Sequence, residues 1–342
     1  ERTGRRAGTI RVGLVYNLRR VTVAEGDTEA EFDTPTTIDA LSNAIRAQGH
    51  EVVRLEANAE LPVKLREARV DMVFNIAEGL IGMNREAQVP ALCEMLGIEY
   101  TGSDAACMAV TLNKALAKRL VAQDEILTPA FAVLHTGKEK LPKNFTFPAI
   151  VKPIAEGSSK GILEKQVVDN ESDLRHVAQL LVRRYRQPVL AEAFLPGREF
   201  TVALLGERKP RVLPIMEIVF TDKNDPFTTY TFKSKFEGVG VENKVPCEVD
   251  PLLYKQLERT AKAAFQAVGC RDLARIDLRL DAQGRVHFIE CNPLPGMAPN
   301  FSDLCMMAKA EGKTYDDLVA EIMAPAVRRL RAQKREQVSV VA

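Results

Sequence analysis

The chain has 342 residues, 46% of them hydrophobic and 27% charged, long enough for two or three domains whose cores need no staple. Lysine plus arginine total 47 and aspartate plus glutamate 46, so no global field recruits nucleic acid or an anionic membrane. No apolar run approaches the roughly 20 residues of a membrane span, and none reads as a secretory h-region; the cytoplasm is the expected location.

Six cysteines (Cys93, Cys107, Cys247, Cys270, Cys291 and Cys305) lack C-x-x-C spacing and sit mostly in apolar stretches, as expected of buried free thiols in a reducing compartment. Arg2, Arg5 and Arg6, and then Arg328, Arg329, Arg331, Lys334 and Arg335, read as solvated basic ends.

In chain order, "TIRVGLVYNL" is a strand and "TPTTIDALSNAIRAQGH" a helix, with Thr34 as N-cap, Pro35 in the first turn and Gly49 as the stop. "EVVRL" and "DMVFNI" are strands. "REAQVPALCEMLG" is a helix interrupted or started by Pro90 and ended by Gly97. Strand alternating with helix predicts a parallel sheet with crossover helices, closing near Gly102. "SDAACMAVTLNKALAKRLVAQDEI" is one helical stretch with Ser103 as its expected cap. "TPAFAVL", "FPAIVKPI" and "GILEKQVV" are strands, and "SDLRHVAQLLVRRY" is an amphipathic helix. "PVLAEAFLPGREFTVALLG" opens a third region of alternating segments. A long helix, "PLLYKQLERTAKAAFQAVGC", precedes a hairpin at 275–292, and "YDDLVAEIMAPAVRRLRAQKR" closes the chain.

The hairpin "RIDLRLDAQGRVHFIECN" carries the strongest chemical signal. With a four-residue turn at Asp281–Gly284, Leu280 pairs with Arg285, Asp277 faces Phe288 and Arg275 faces Glu290. Period-two alternation then puts Arg275, Asp277, Phe288, Glu290 and Asn292 on one face. Two carboxylates and an amide suit a hard cation, and the arginine suits a phosphate or a developing oxyanion. A structural Arg275–Glu290 pair on a solvated face is the plain alternative.

Other segments add to it. Gly157, Ser158, Ser159 and Gly161 lie between two strands, where free backbone N–H groups can wrap an anion, with Lys152 ending the strand before them. The run from Gly157 to Gly161 also matches G-x-S-x-G, but the following segment alternates as a strand, not the helix a nucleophile elbow requires. Walker A fails because Met307 stands where a glycine is needed. Glu192 and Glu199 flank Phe194 and Leu195, an arrangement that suits an adenine amino group and ribose hydroxyls as well as it suits two surface glutamates. Lys233 and Lys235 alternate with Phe232 and Phe236, as in a mobile lid or an edge strand protected by lysines.

In order, Lys114, Lys152, Glu156-Gly157-Ser158-Ser159, Glu192, Glu199, Lys235, Arg275-Ile-Asp277, Glu290-Cys-Asn292 and Pro-Gly296-Met297 resemble the ATP-grasp superfamily. Within it, "REFTVALLG", "RIDLRL" and "NPLPGM" resemble the D-alanine–D-alanine ligase family, over roughly residues 9–325. The resemblance implies an α/β ATP-grasp fold of three domains: 9–102 an N-terminal parallel α/β domain, 103–191 a central subdomain and 192–326 a C-terminal subdomain bearing the metal. ATP would lie between the last two, and 1–8 and 327–342 would be basic tails.

It implies further that Lys114 and Lys152 hold ATP phosphates, that Glu192 and the Leu195 backbone meet adenine beside Phe194, and that Glu199 meets the ribose. The Gly157–Ser159 loop and Lys235 would cover the γ-phosphate. Asp277, Glu290 and Asn292 would bind two Mg²⁺ ions, with Mn²⁺ as a substitute, and Arg275 and the Gly296 N–H would stabilise the tetrahedral intermediate. Small amino acids would be the substrates and a homodimer the assembly. A water-free site also implies a loop around Phe236–Val245 that closes.

The substrate side departs from the family pattern. Glu78 stands where a histidine is usual, and Arg85-Glu86 where an acidic pair is usual. "EAEFD" keeps Glu29 and Glu31 but has Asp33 for a serine, leaving Glu29 as the candidate for the first ammonium, in a network with Ser158. Phe236 replaces a tyrosine, and Ser302 is the nearest match to the serine that holds the second carboxylate. Three readings follow: a D-alanine–D-alanine ligase, a related ligase joining other amino acids or a hydroxy acid, and a nucleotide-binding module without turnover.

Overall fold

The computed structural model describes residues 8–20, 29–143, 145–157, 167–221 and 240–341, with side chains to residue 336. Ser158, Ser159, Gly161, Lys233, Lys235 and Phe236 lie outside the described residues, as do residues 236–239 of the expected closing loop.

Three sheets organise the described chain. The first is parallel, with β1 (Arg11–Tyr16), β2 (Glu51–Glu56), β3 (Met72–Asn75) and β4 (Glu99–Tyr100) in the order β2-β1-β3-β4. α1 (Pro35–Ala47) and α2 (Leu61–Ala68) are its crossovers, and a 3-10 turn at Arg85–Ala87 leads into α3 (Gln88–Leu96). The Thr34 hydroxyl accepts from the Thr37 N–H and Pro35 follows it, as its sequence predicts. Since β2 and β3 flank β1 on opposite sides, the chain leaves β1 and β3 in opposite directions. The resulting crevice at their C-terminal ends is where open α/β sheets bind ligands. The connections after β1 and β3 deliver Glu31 and Asp33, and Glu78 and Glu86, to that crevice.

The second sheet is antiparallel: β5 (Phe131–Leu134), β6 (Ala149–Pro153), β7 (Val167–Val168) and β8 (Val189–Ala193), in the order β5-β8-β6-β7, covered by α6 (Glu171–Tyr185). β8 belongs here and runs across the expected 191/192 boundary. The helix expected from Ser103 onward is two helices, α4 (Ala105–Leu112) and α5 (Lys114–Gln123). Asp104, not Ser103, caps the first by accepting from the Cys107 N–H at 2.9 Å; the Ser103 hydroxyl accepts instead from the Arg271 N–H at 3.2 Å. Asn113 breaks the pair with extended backbone, and its side chain accepts from the Leu116 N–H. That break sets Lys114 at the first position of α5, its N–H bonded to the Ile154 carbonyl at 3.0 Å.

The third sheet holds β9 (Glu199–Gly206), β11 (Met216–Phe220), β12 (Val241–Lys244), β13 (Asp272–Leu280) and β14 (Val286–Asn292) in the order β12-β11-β9-β13-β14, with β10 (Arg211–Val212) paired to β9. α7 (Pro251–Ala267), α8 (Asp303–Ala310) and α9 (Tyr315–Val341) complete it. One hydrophobic cluster joins Val12, Leu14 and Phe74 of the first sheet to Ala203, Leu205 and Met216 of the third through Leu318, Val319 and Ile322 of α9.

Of the C-terminal basic run, Arg328, Arg331, Lys334 and Arg335 are exposed as expected, but Arg329 is not part of a solvated tail. The run continues α9, and Arg329 donates to Asp272 at 2.7 Å, Glu99 at 2.8 Å, Glu207 at 2.5 Å and the Tyr100 carbonyl at 2.9 Å. The sequence pattern hid this because the four acceptors lie on three distant segments.

Candidate active site

The hairpin turn is one residue longer than expected. The Asp281 N–H bonds to the Arg285 carbonyl, and Leu280 pairs with Val286 rather than Arg285. Leu278 then pairs with Phe288, and a β-bulge lets Asp277 oppose Glu290 and Arg275 oppose Asn292. Phe288 does not share the charged face; it is fully buried with Leu278 and Phe200 in the core behind it. The extra residue re-aims the end of β14, which brings Asp277 and Glu290 directly side by side.

Arg275 does not pair with Glu290 either. Its guanidinium donates twice to Asp277, at 3.0 Å each, and to Asp303 at 3.1 Å. The Thr201 hydroxyl and the Asn292 amide N–H also donate to Asp277, at 2.5 and 3.1 Å. Burial lowers the Arg275 pKa, but Asp277 and Asp303 outweigh it and hold the charge firmly. Burial pushes the Asp277 carboxyl up, against Arg275, with Glu290 adding to the rise. Glu290 is buried too, yet Lys114, Lys152 and Arg275 keep it well below the usual carboxylate range. Two adjacent carboxylates, Asp277 and Glu290, offer the oxygen donors a hard divalent cation takes. Asn292 stands beside them, its amide N–H given to Asp277.

Lys114 reaches the same place from α5, its ammonium 3.3 Å from Glu290 and donating to the Glu156 carbonyl at 2.5 Å. One turn along α5, Lys118 ion-pairs with Glu192 at 2.8 Å, and Lys152 of β6 meets the other Glu192 oxygen at 2.5 Å. Glu192 is thus a buried anion, not a surface glutamate: burial pushes its carboxyl up, but the two ammonium groups outweigh that and hold it at about 2. Burial takes Lys118 down to about 8, whereas Lys152 stays raised because Glu192 and Glu290 outweigh its burial. Glu199 pairs with Arg279 at 2.8 Å, and that guanidinium lies 4.6 Å from the centre of the Phe194 ring. Leu195, half-buried, follows β8 on the way to β9.

A cavity of about 630 Å³ runs from this constellation to the crevice of the first sheet. Lys114, Glu156, Gly157, Arg275, Glu290, Asn292, Gly296 and Ser302 line one part, and Glu31, Asp33, Glu78 and Glu86 another. Gly296 and Ser302 are neighbours: a Cβ on Gly296 would stand 2.8 Å from the Ser302 hydroxyl, which accepts from the Ala298 N–H at 3.0 Å. Gly157 has no room for a side chain, since a Cβ would lie 2.2 Å from a Glu31 oxygen.

Glu29 is not among the residues lining the cavity; its carboxylate accepts from the Arg20 N–H at 2.5 Å. Glu31, two residues on, occupies that place and meets Arg85 at 3.0 Å. Arg85 also approaches Glu156 at 3.5 Å and donates to the Ala155 carbonyl at 2.8 Å, tying the first sheet's crevice to the Gly157 loop. Among the described residues, Glu31, Glu78 and Glu86 bring carboxylate oxygens within 4.8 Å of one another. Burial raises Glu78 well above its ordinary range and Glu86 to about 7, each reinforced by its neighbouring carboxylates.

Sequence reading missed Lys118, Arg279, Thr201, Asp303, Glu31 and Glu86 as site residues. Periodicity carried signals for three of them: Lys118 sits four positions after Lys114 on one helix face, and Thr201 and Arg279 alternate with Glu199 and Asp277 along their strands.

Described elements and site together match an ATP-grasp ligase. The family model described as D-ala D-ala ligase C-terminus matches residues 121–324. A D-alanine–D-alanine ligase from Aquifex aeolicus is 33% identical over 306 residues, 89% of this chain and 99% of the relative. An uncharacterised protein, y4sG of Sinorhizobium fredii, is 33% identical over 299 residues, 85% and 87% of the two chains. The crystal structure of a Bacillus anthracis D-alanine–D-alanine ligase complexed with ATP aligns with a TM-score of 0.72 at 22% identity, over 95% of this chain and all of that one, which bears on the fold. The chain belongs to the D-alanine–D-alanine ligase family, ATP-binding, ADP-forming ligases of carbon–nitrogen bonds.

Proposed function

We propose that this protein joins two amino acids, with D-alanine and D-alanine for peptidoglycan precursors as the reading its relatives favour. The observation that carries it is the arrangement of Arg275, Glu290 and Asn292, with Asp277 opposite Glu290, at a cavity shared with Lys114, Gly296 and Ser302. A carboxylate oxygen of the first amino acid attacks the γ-phosphorus of ATP, the bond to the β-phosphate oxygen breaks, and ADP leaves. The amine of the second amino acid then attacks the acyl carbon, loses a proton, and phosphate departs with the oxygen it was bonded through.

In this proposal Lys114 and Lys152 hold phosphate oxygens, which their positions beside Glu290 and Glu192 support. Glu192, Phe194 and Leu195 meet the base, and Glu199 the ribose. Arg275, locked by Asp277 and Asp303, and the Gly296 N–H face the oxyanion, where fixed donors lower the barrier without reorganising. Ser302 holds the second carboxylate and Glu31, rather than Glu29, the first ammonium. Ser158, Ser159, Lys235 and Phe236 complete the phosphate cover and substrate site by family resemblance. Mg²⁺, held by Asp277, Glu290 and Asn292, would neutralise the transferring phosphoryl group when bound. We extend the proposal to a homodimer in the cytoplasm; among the described residues, no helix is long and apolar enough to cross a membrane.

ATP-dependent phosphate release against single and paired amino acids tests the reading, with the dipeptide confirmed by mass. Asp277→Asn and Glu290→Gln are each expected to lower kcat by about 100-fold or more while the circular dichroism spectrum is unchanged. Wild-type turnover in the double variant would sink the metal assignment. A second reading, a ligase for other amino acids, is favoured by Glu78, a carboxylate where the family pattern has a histidine.

A further inference from the structure

Four carboxyl groups converge on the crevice end of the cavity: Glu31 and Asp33 from the connection after β1, and Glu78 and Glu86 from the connection after β3. Two guanidinium groups stand near them. Arg85 is divided between Glu31 and Glu156. Arg19 spends its donors on the Glu29 and Ala30 carbonyls. Lys114 is held by Glu290 and the Glu156 carbonyl.

Glu86 is the telling member. It is 7% exposed, lines the cavity, and has no hydrogen-bond or ion-pair partner among the described residues. A buried carboxyl without a partner costs stability unless something else supplies one. Its open side faces volume that the protein leaves unfilled. A single α-ammonium, as a neutral amino acid carries, would answer the charge of Glu31 and leave Glu78 and Glu86 facing each other.

We propose, on the basis of the ligase reading, that the first-substrate pocket takes an amino acid bearing a second ammonium on its side chain, held by Glu78 and Glu86. An ammonium offers three donors, and the Glu78 and Glu86 oxygens, within 4.8 Å of each other and of Glu31, can share them while Glu31 keeps the α-ammonium. The guanidinium of Arg85, 3.0 Å from Glu31, would repel a divalent ion in the same cluster more strongly than a singly charged amine. The cavity, at about 630 Å³, has room for a longer side chain than a methyl group. Selectivity would come from the penalty a neutral side chain incurs by leaving Glu86 unpaired.

The experiment is titration calorimetry on the full chain with matched pairs differing by one amine: 2,4-diaminobutyrate against 2-aminobutyrate, and ornithine against norvaline, in both enantiomers. Phosphate release is read on the same samples with ATP. The diamino member of at least one pair is expected to bind about 10-fold tighter or more, and Glu86→Gln and Glu78→Gln, both isosteric, are expected to cut that ratio at least several-fold. Equal binding within every pair overturns the proposal. So does an undiminished ratio in either folded variant, or binding of MgCl₂ or MnCl₂ alone that both variants lose while no pair is discriminated. Diamino preference without phosphate release from any amino acid supports this proposal and counts against the ligase reading. Release with neutral amino acids alone does the reverse.

Discussion

Glu86 and Asp33 show what a single buried carboxyl does to the free protein. Burial pushes both up to about 7, Asp33 against the pull of Arg19, and Glu86 with Glu31 adding to the rise while Arg85 and Lys114 oppose it. Their pKa is higher folded than unfolded, so the folded state binds protons more tightly. The stability they contribute is complete below the ordinary carboxylate range and is lost as pH rises through about 7. The ligand-free protein is therefore expected to show a thermal midpoint that these two groups pull down between about pH 4.5 and 7 and leave level above that. Glu86→Gln should flatten part of that slope. A midpoint that climbs through this range, or a slope untouched in the variant, would contradict the assignment. Glu192 behaves in the opposite sense: its depressed carboxyl stabilises above the ordinary range and gives that up in acid.

Single elements are positioned by a few polar contacts. The break at Asn113 turns one predicted helix into two and thereby starts α5 at Lys114, whose ammonium reaches Glu290. The bulge in β14 decides that Asp277 opposes Glu290. Along α9, Arg329 closes a junction of three segments, and Asp272, fully buried, accepts two of its bonds at 2.7 Å. Arg329→Ala would strand that carboxylate, at a cost of about 3 kcal/mol, readable as a lower midpoint in urea. Arg329→Lys should recover only part of it, because an ammonium cannot reproduce the fork. An Arg329→Ala protein as stable as the parent would show the junction to be held by apolar packing alone.

At the scale of the molecule, the first and third sheets share a hydrophobic cluster through α9, whereas the second sheet packs its own, around Leu134, Val151, Leu174 and Leu181. Native-state hydrogen exchange should therefore group β1 and β13 in one protection class and β5, β6 and β8 in another. Equal protection across all three sheets would argue for one cooperative unit. The active-site cavity draws its lining from both cores, with Gly157 and Glu156 from the second sheet's connection and Glu31 and Arg275 from the others.

Local chemistry made much of this visible before any fold was known. The first three strands of the parallel sheet, the Thr34–Pro35 cap, the thiols expected to be buried and free, and the candidates Lys152, Arg275, Asp277, Glu290 and Asn292 follow from propensity, periodicity and spacing, which act over a few residues. Lys114 rests on the family resemblance, and sequence reading missed α2 and the two-residue β4. Tertiary structure alone decided the rest. Whether Glu29 or Glu31 lines the cavity depends on how a loop settles against Arg20 and Arg85. That Arg275 holds Asp277 and Asp303 rather than Glu290 depends on one extra residue in a turn and a bulge. Arg329 became a strut because Glu99, Glu207 and Asp272 meet at it from across the chain. Coulombic and hydrogen-bond energies fall steeply with distance, so partners far apart in sequence acquire meaning only when packing sets them within about 3 Å.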